Sequence, residues 1–318
     1  MSTIQLREIS LRYDRVDVLR CINFVIAEGE YAVILGASGC GKTSLLRMIA
    51  GLIRPTAGQI FFDSRDVTSL PPRRRDVALV PQFDGLYPHF SLRRSIAFGL
   101  STQLSALQRE RRVIDAAERV GIQDLLERRP EQLSGGQLRR AAVAKAIARQ
   151  AAIRLLDEPL SAVDATLRFS IEQDLRRLHQ ASPGVTLHVT HDGAEAMRMA
   201  DRIAVIEQGQ IAQFDTPERL RDAPATPAVA AALGQSPFHT VALRRSEAGW
   251  SDDQGQTLAG PEAALGSAAT IGFYQSDVLP SIDAAQRSAD DWLDTQLGIH
   301  VRSQDLRWFQ SAPLDTHQ

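Results

Sequence analysis

Lysine is almost missing from this chain: of 36 basic residues in 318, only Lys42 and Lys145 are lysines and the rest are arginines. Asparagine occurs once, at Asn23, and cysteine twice, at Cys21 and Cys40. Two cysteines that form neither a CxxC pair nor a disulfide framework fit a reducing compartment and argue against structural zinc. No window reaches the roughly 20 uninterrupted apolar residues of a membrane-spanning helix, and Met1 to Arg15 lacks the apolar stretch of a signal peptide. A cytosolic location is the expectation. Excess charge of either sign is missing too, since 36 basic residues stand against 38 acidic ones for a net charge of −2. That removes the electrostatic case for direct nucleic-acid binding. A composition of 44% hydrophobic and 23% charged residues is that of a globular protein. At about 150 residues per domain the length predicts two domains. Where Lys does occur, a chemical reason is worth seeking, because it is a compact point charge on a flexible stem whereas Arg is a wide planar fork.

Alternation of apolar and polar residues over Ile4 to Ile9, then Ile22 to Ala27, predicts an antiparallel β layer at the start. Tyr31 to Leu35 is a continuous apolar run that reads as a buried parallel strand, and it enters a Gly-rich loop at Gly36. Leu45, Leu46, Ile49 and Leu52 follow at helical spacing. Asp76 to Val80, Ala152 to Leu156 and Val185 to Thr190 read as further buried strands, the last two separated by an amphipathic helix from Ala165 to Gln180. Residues 100–150 form an Arg-rich helical stretch, read as an inserted subdomain. Strands alternating with helices predict an α/β fold with a mostly parallel, doubly wound sheet. Arg202 to Glu207 and Gln210 to Phe214 flank Gln208-Gly209 as a hairpin. Beyond the Ala-rich segment Ala223 to Gly234 the pieces become short and strand-like, so 1–235 reads as one domain and 236–318 as a small, separate β-rich one.

Gly36-Ala37-Ser38-Gly39-Cys40-Gly41-Lys42-Thr43 satisfies GxxxxGK[ST] between a strand and a helix, the context the motif's mechanism requires. Backbone amides of such a loop curl around phosphates, Lys42 reaches the β and γ phosphates, and the Thr43 hydroxyl is placed for Mg²⁺. Taken bare, it is a Gly-rich turn capping a helix. Ile153 to Glu158 is a strand delivering two carboxylates at its C-terminal end, where open α/β sheets bind ligands. Asp157 suits a metal ligand, and Glu158 suits the orientation and activation of water. Leu133-Ser134-Gly135-Gly136-Gln137 opens a helix with a second N-terminus suited to an anion; alone it is an ordinary N-cap.

Together the three motifs resemble the ATP-binding subunit of ATP-binding-cassette (ABC) transporters, a P-loop NTPase fold, and the resemblance covers about residues 3–235. It implies ATP and Mg²⁺ as ligands, with Gly36 to Ser44 holding the phosphates. Tyr13 matches the aromatic that stacks on adenine, Gln82 the lid glutamine that reaches Mg²⁺ or water, Asp164 the loop after the carboxylates, and His191 the switch histidine. Catalysis falls to Glu158, His191 and Gln82, and the metal to Thr43, Asp157 and Gln82. Ser134, Gly135, Gly136 and Gln137 complete the partner's site in a head-to-tail homodimer, or in a pair with a related ATPase subunit. Ser69 to Asp76, Leu86 to His89 and Asp157 to Ser161 look like importer subunits for sugars, glycerol phosphate, polyamines, iron or sulfate-type anions. Such subunits sit on the inner face of the cell membrane against a multi-span permease, served indirectly by a solute-binding protein, and carry a C-terminal OB-like (TOBE-type) domain. In that domain Gly272 to Asp277 stands where the family often shows an Arg-Pro-Glu element.

A GTPase reading fails because the only asparagine, Asn23, precedes Phe24 and cannot start Asn-Lys-x-Asp. The alternative from another class is a soluble ABC-type ATPase switch acting on nucleic acid or the ribosome, although the chain has neither a second cassette nor a long coiled-coil insertion. Two surface features remain. Phe83, Leu86, Tyr87 and Phe90 are too many large apolar residues for a solvated loop and suit either a docking permease helix or packing against the helical subdomain. Arg73-Arg74-Arg75 reads as a solvated loop.

Overall fold

In the computed structural model the described residues are 3–81, 86–100, 103–161, 165–181, 184–234, 238–246, 249–251, 257–258, 268–274, 278–279, 292–294, 299–301 and 305–310. They fall into two units, Met1–Pro217 and Glu218–Gln318. The helices Pro217–Asp222 and Pro227–Ala232 fall at and beyond the division between these units.

The opening alternation becomes strand β1 (Ile4–Tyr13), paired antiparallel with β2 (Val16–Ile26). Both strands are longer than the alternation suggests, because bulges interrupt it. The register shifts between Leu6 and Ile9 and again between Ile9 and Leu11, and Glu8 and Cys21 take φ of 52° and 51°. Each bulge moves the next apolar residues back to the buried face without an even period.

Strand β3 (Tyr31–Leu35) is buried at all five positions and leads into helix α1 (Lys42–Ile49). After it come β4 (Ala57–Phe62), which pairs antiparallel with β1, and the short β5 (Arg65–Asp66), giving a four-stranded layer of order β2-β1-β4-β5. Strand β6 (Val77–Val80) precedes a helical layer of α2 (Leu92–Ala97), α3 (Ala106–Arg119) and α4 (Gly135–Arg149). Because α2 packs on both α3 and α4, this layer starts before residue 100. Then β7 (Ile153–Asp157), α5 (Ala165–Ala181), β8 (Val185–Thr190), α6 (Gly193–Met199), β9 (Arg202–Glu207) and β10 (Gln210–Asp215) complete the unit. The main sheet has the order β10-β9-β3-β8-β7-β6, parallel except for the β9–β10 hairpin. That hairpin turns on Gln208 and Gly209 with φ of 48° and 78°, the two left-handed residues of a tight turn matched to strand twist.

The second unit, as described, carries a five-stranded and a three-stranded sheet, both antiparallel. Leu243, Trp250, Ile271 and Phe273 form its apolar core. Gln275, Ser276 and Asp277 lie outside the described residues.

The Arg73–Arg75 run is a correction to the sequence reading. Arg73 and Arg74 are exposed, but Arg75 is buried. A helix leaves its last carbonyls without partners. Arg75 Nη1 donates to Met48 O and Ile49 O at 2.8 Å each, closing the end of α1, while Nε donates to Leu70 O at 2.9 Å and Nη2 to Thr68 O at 3.1 Å. Burial lowers the guanidinium pKa to about 10, with Asp66 opposing, so the charge persists at neutral pH. Replacing it by Met keeps much of the stem but removes a donor from four carbonyls, of which Met48 O keeps the Gly51 amide. Arg75→Met is expected to cost roughly 2–4 kcal/mol of stability, against about 0.5 kcal/mol or less for Arg73→Ala or Arg74→Ala. Urea midpoints followed by far-UV circular dichroism check this, and equal midpoints for all three variants would refute the cap.

Candidate active site

The chemistry gathers at the C-terminal edge of the parallel strands. From Leu35 the chain turns through Gly36 to Gly41 into α1. A Cβ at Gly36 would come 2.6 Å from Ile206 O, so only glycine lets the loop pass over β9. Gly41 is the N-cap of α1 with φ 99°, and the helix has no side-chain cap. Its first amides therefore face the loop without a protein side chain to satisfy them, which is the arrangement that binds anions. Lys42, 5% exposed, donates from Nζ to Gly36 O and Ala37 O at 2.8 Å each, so the ammonium sits against the loop's own backbone. Cys40 is a half-buried free thiol with Sγ 3.9 Å from Lys42 Nζ.

Thr43 Oγ1 donates to Asp157 Oδ1 at 2.9 Å, tying the loop to the end of β7. Asp157 is 3% exposed, and its carboxyl pKa is raised. Burial is the main cause and Glu158 adds to it, while the Thr43 bond, Arg47 and Arg139 pull the other way. The next residue, Glu158, has φ 45°, a left-handed backbone that is strained for a residue with a side chain. His191, just past β8, has Nδ1 3.3 Å from Glu158 Oε1. Beside this pair lies a cleft of about 380 Å³ lined by Tyr13, Val18, the loop residues Ser38, Gly39 and Gly41 to Ser44, and Glu158. Tyr13 is 47% exposed, leaving its ring open to a planar ligand.

Thus Tyr13, the loop, Asp157, Glu158 and His191 come together. Ser134 to Gln137 do not line this cleft. Instead Ser134 and Gln137 close a capping box on α4, Gln137 N donating to Ser134 Oγ at 3.3 Å and Ser134 N to Gln137 Oε1 at 3.0 Å. A Cβ built on Gly135 or Gly136 meets nothing within 4 Å, so that helix end is open to a group from outside. Gln82, Phe83 and Asp164 lie outside the described residues. Leu86, Tyr87 and Phe90 are half-buried, neither free nor fully packed. Tyr87 stacks edge-on against Phe98 at 4.8 Å and carries Lys145 Nζ 4.4 Å over its ring, while Phe98 remains 61% exposed. One side chain that no sequence pattern singles out is Arg139 on α4, buried at 6% exposure directly behind the carboxylates.

Burying Asp157 opposes folding. Its raised native pKa means that, above that value, the folded state bears an ionised buried carboxylate whose cost the unfolded chain escapes; the cost fades as the pH falls through the native pKa. With chelator and no nucleotide, Asp157→Asn is expected to melt higher than wild type at neutral pH and to lose that advantage on acidification. Calorimetry across pH tests the sign; an advantage that grows on acidification would contradict it.

A family model described as "ABC transporter" matches residues 19–161. The chain is 40% identical over 282 residues to the sn-glycerol-3-phosphate import ATP-binding protein UgpC of Rhizobium meliloti (strain 1021), covering 87% of this chain and 78% of that protein. It is 37% identical over 303 residues to the sulfoquinovosyl glycerol transport ATP-binding protein SmoE of Agrobacterium fabrum (strain C58 / ATCC 33970), covering 95% and 84%. Among solved structures, a dimeric post-hydrolysis state of the ATP-binding cassette MJ0796 bound to ADP and Pi superposes with a TM-score of 0.63 at 27% identity, over 67% of this chain and 98% of that one. The chain belongs to the ABC transporter family and is one of its ATP-binding subunits, an ATPase that powers import.

Proposed function

We propose that the cleft between Tyr13 and Glu158 is the hydrolytic half-site of this subunit, and the observation carrying that reading is the Thr43–Asp157 bond with the Glu158–His191 pair beside it. Tyr13 stacks the base, the amides of Gly36 to Ser44 with Lys42 hold the phosphates, Glu158 orients and deprotonates the attacking water, and His191 orients Glu158. Two converging hard oxygens, a hydroxyl and a carboxylate, fit Mg²⁺, which keeps waters and takes its remaining ligands from phosphate. Thr43 and Asp157 would hold the ion together with Gln82, and it would supply neutralisation of charge on the phosphates. The exposed helix end at Ser134 to Gln137 serves the ATP of a second subunit, which the dimeric state of the MJ0796 cassette supports.

In this reading two such subunits, identical or related, sit at the inner face of the cell membrane against a multi-span permease that is fed by a solute-binding protein. The cargo is a sugar or glycerol phosphate, a class supported by the glycerol-containing solutes in the relatives' names. Residues 236–318 form the OB-like accessory domain. The permease docks at Leu86, Tyr87, Phe90 and the exposed Phe98, an aromatic edge whose first residue follows Gln82 by four positions in the chain.

Glu158→Gln keeps the shape of the site and removes the base, so ATP should bind while hydrolysis falls by about 100-fold or more and an ATP-bound dimer accumulates. Phosphate release and size-exclusion chromatography with ATP measure both; turnover within a few-fold of wild type would reject Glu158 as the base. For the docking surface, Leu86→Asp should leave ATP binding by the isolated subunit nearly intact while abolishing co-purification with the permease and transport. Wild-type recovery of the complex would move the docking site elsewhere.

A further inference from the structure

Arg139 lies five residues beyond Ser134, within the first turns of α4, and its guanidinium is directed away from that helix into the main sheet. Nη1 donates to Pro81 O at 2.7 Å, at the end of β6 and one residue before Gln82. Nε donates to Pro159 O at 2.6 Å, and Nη2 to Asp157 O at 2.8 Å and also to Glu158 O. The carbonyls of Pro81, Glu158 and Pro159 lie just past the ends of β6 and β7, and Asp157 is the last residue of β7. A planar fork with five donors can meet several such acceptors at once, which a lysine ammonium cannot do from one point.

Glu158 is also the residue whose backbone the fold holds in the left-handed region, at φ 45°. Its amide donates to Val189 O at 2.9 Å, and its carbonyl accepts from Arg139 and from Ser161 Oγ at 3.1 Å. Such a conformation persists only where the surroundings over-determine it. Released from Arg139, Glu158 keeps its amide bond to Val189 O and the Ser161 bonds to its carbonyl, but its left-handed backbone is held by fewer contacts, so the carboxylate can swing away from His191 and the loop.

We propose that Arg139 is a positioning residue for ATP hydrolysis: from the helix that begins with Ser134–Gln137, its guanidinium sets the backbone of Pro81 and of Asp157 to Pro159, and thereby the direction of the Glu158 carboxylate. The proposal rests on the reading of Glu158 as the base. It adds a physical link between two parts of one subunit: the helix end offered to the partner's nucleotide and the carboxylate acting on its own are joined through one side chain. The hydrogen bonds described for Arg139 go to main-chain carbonyls, so its loss should act on turnover and spare nucleotide affinity.

The test compares steady-state ATP hydrolysis and equilibrium binding of a fluorescent ATP analogue for the full chain and for Arg139→Gln, Arg139→Lys and Arg139→Ala. A displaced catalytic group costs turnover on the order of 10–100-fold, with KM for ATP and analogue affinity moving less than about threefold. Arg139→Lys, which keeps the charge and loses the fork, should be no better than Arg139→Gln. Added guanidinium ion should restore part of the turnover of Arg139→Ala, and methylammonium at the same concentration should not. Turnover within about twofold of wild type in Arg139→Gln or Arg139→Lys would overturn the proposal. So would a loss of turnover that only tracks a loss of nucleotide-binding-competent protein, or equal response to the two cations. Glu158→Gln, assayed alongside, separates the two ideas: if it hydrolyses ATP at nearly the wild-type rate, the reading of the base fails; if it is dead while the Arg139 variants are active, only this inference falls.

Discussion

Everything at this site depends on the parallel pairing of β3, β8 and β7. In that register Leu35 lies opposite Thr190 and Val189 opposite Asp157, so three strands finish at the same edge of the sheet. The residues that succeed each strand are then forced into one place: the phosphate loop after Leu35, Glu158 after Asp157, and His191 after Thr190. The Thr43–Asp157 bond and the Glu158–His191 contact are consequences of that alignment, because the residues concerned are 114 and 33 positions apart in the chain. An antiparallel neighbour would have sent its outgoing loop to the opposite edge. The antiparallel pair in this sheet, β9 with β10, lies at the margin, where its hairpin turn abuts β2 and Arg20 N donates to Gly209 O.

A sheet edge and a helix end share a cost: both leave carbonyls that neither water nor neighbouring backbone satisfies once they are buried. Two arginines meet it here by the same means. Arg75 closes the C-terminal end of α1, and Arg139 gathers the carbonyls beyond β6 and β7. Each is a buried cation stabilised by carbonyl dipoles that converge on its fork. The scarcity of lysine gains a meaning against this background. Several acceptors at different points call for the fork, whereas Lys42 places a compact charge at a loop floor where its targets converge on one point.

How much of the fold and the site was legible depends on how local each signal is. Tyr31 to Leu35 is a run of apolar residues whose burial on both faces is written in its composition, and the phosphate loop is a contiguous motif, whereas Val185 to Thr190 alternates apolar with polar residues and still buries Thr186, His188 and Thr190. Strand β2 was legible only from Ile22, because the bulge at Cys21 breaks the period that would have extended it back to Val16. Helix α2, with buried Leu92, Ser95 and Ile96, is too short to show a period at all. Arg75 and Arg139 were out of reach for a different reason. In a run such as Arg73-Arg74-Arg75 or Arg139-Arg140, identical side chains differ only in the direction they leave the backbone, and their partners lie 5 to 58 residues away. Sequence told where guanidiniums were, and only the packing told which of them was structural.

Helix α4 joins the signature motif to the carboxylates. Its N-terminus is capped by its own Ser134 and Gln137, so it is stable without a ligand, yet Gly135 and Gly136 keep one face of that end bare. A glycine pair in a first turn weakens a helix, and here the capping box and the buried alanines further along offset that weakness. The design makes sense if the bare face is meant for close backbone approach by something outside the subunit. On the proposed reading that something is a phosphate held by the second subunit, and the next thing the helix offers, less than two turns on, is Arg139 against the first subunit's own carboxylates. A rigid helix cannot shift at one end without shifting at the other. On that reading, contact with the partner's nucleotide would have a short mechanical route to the geometry of Glu158, through a side chain rather than through the length of the sheet.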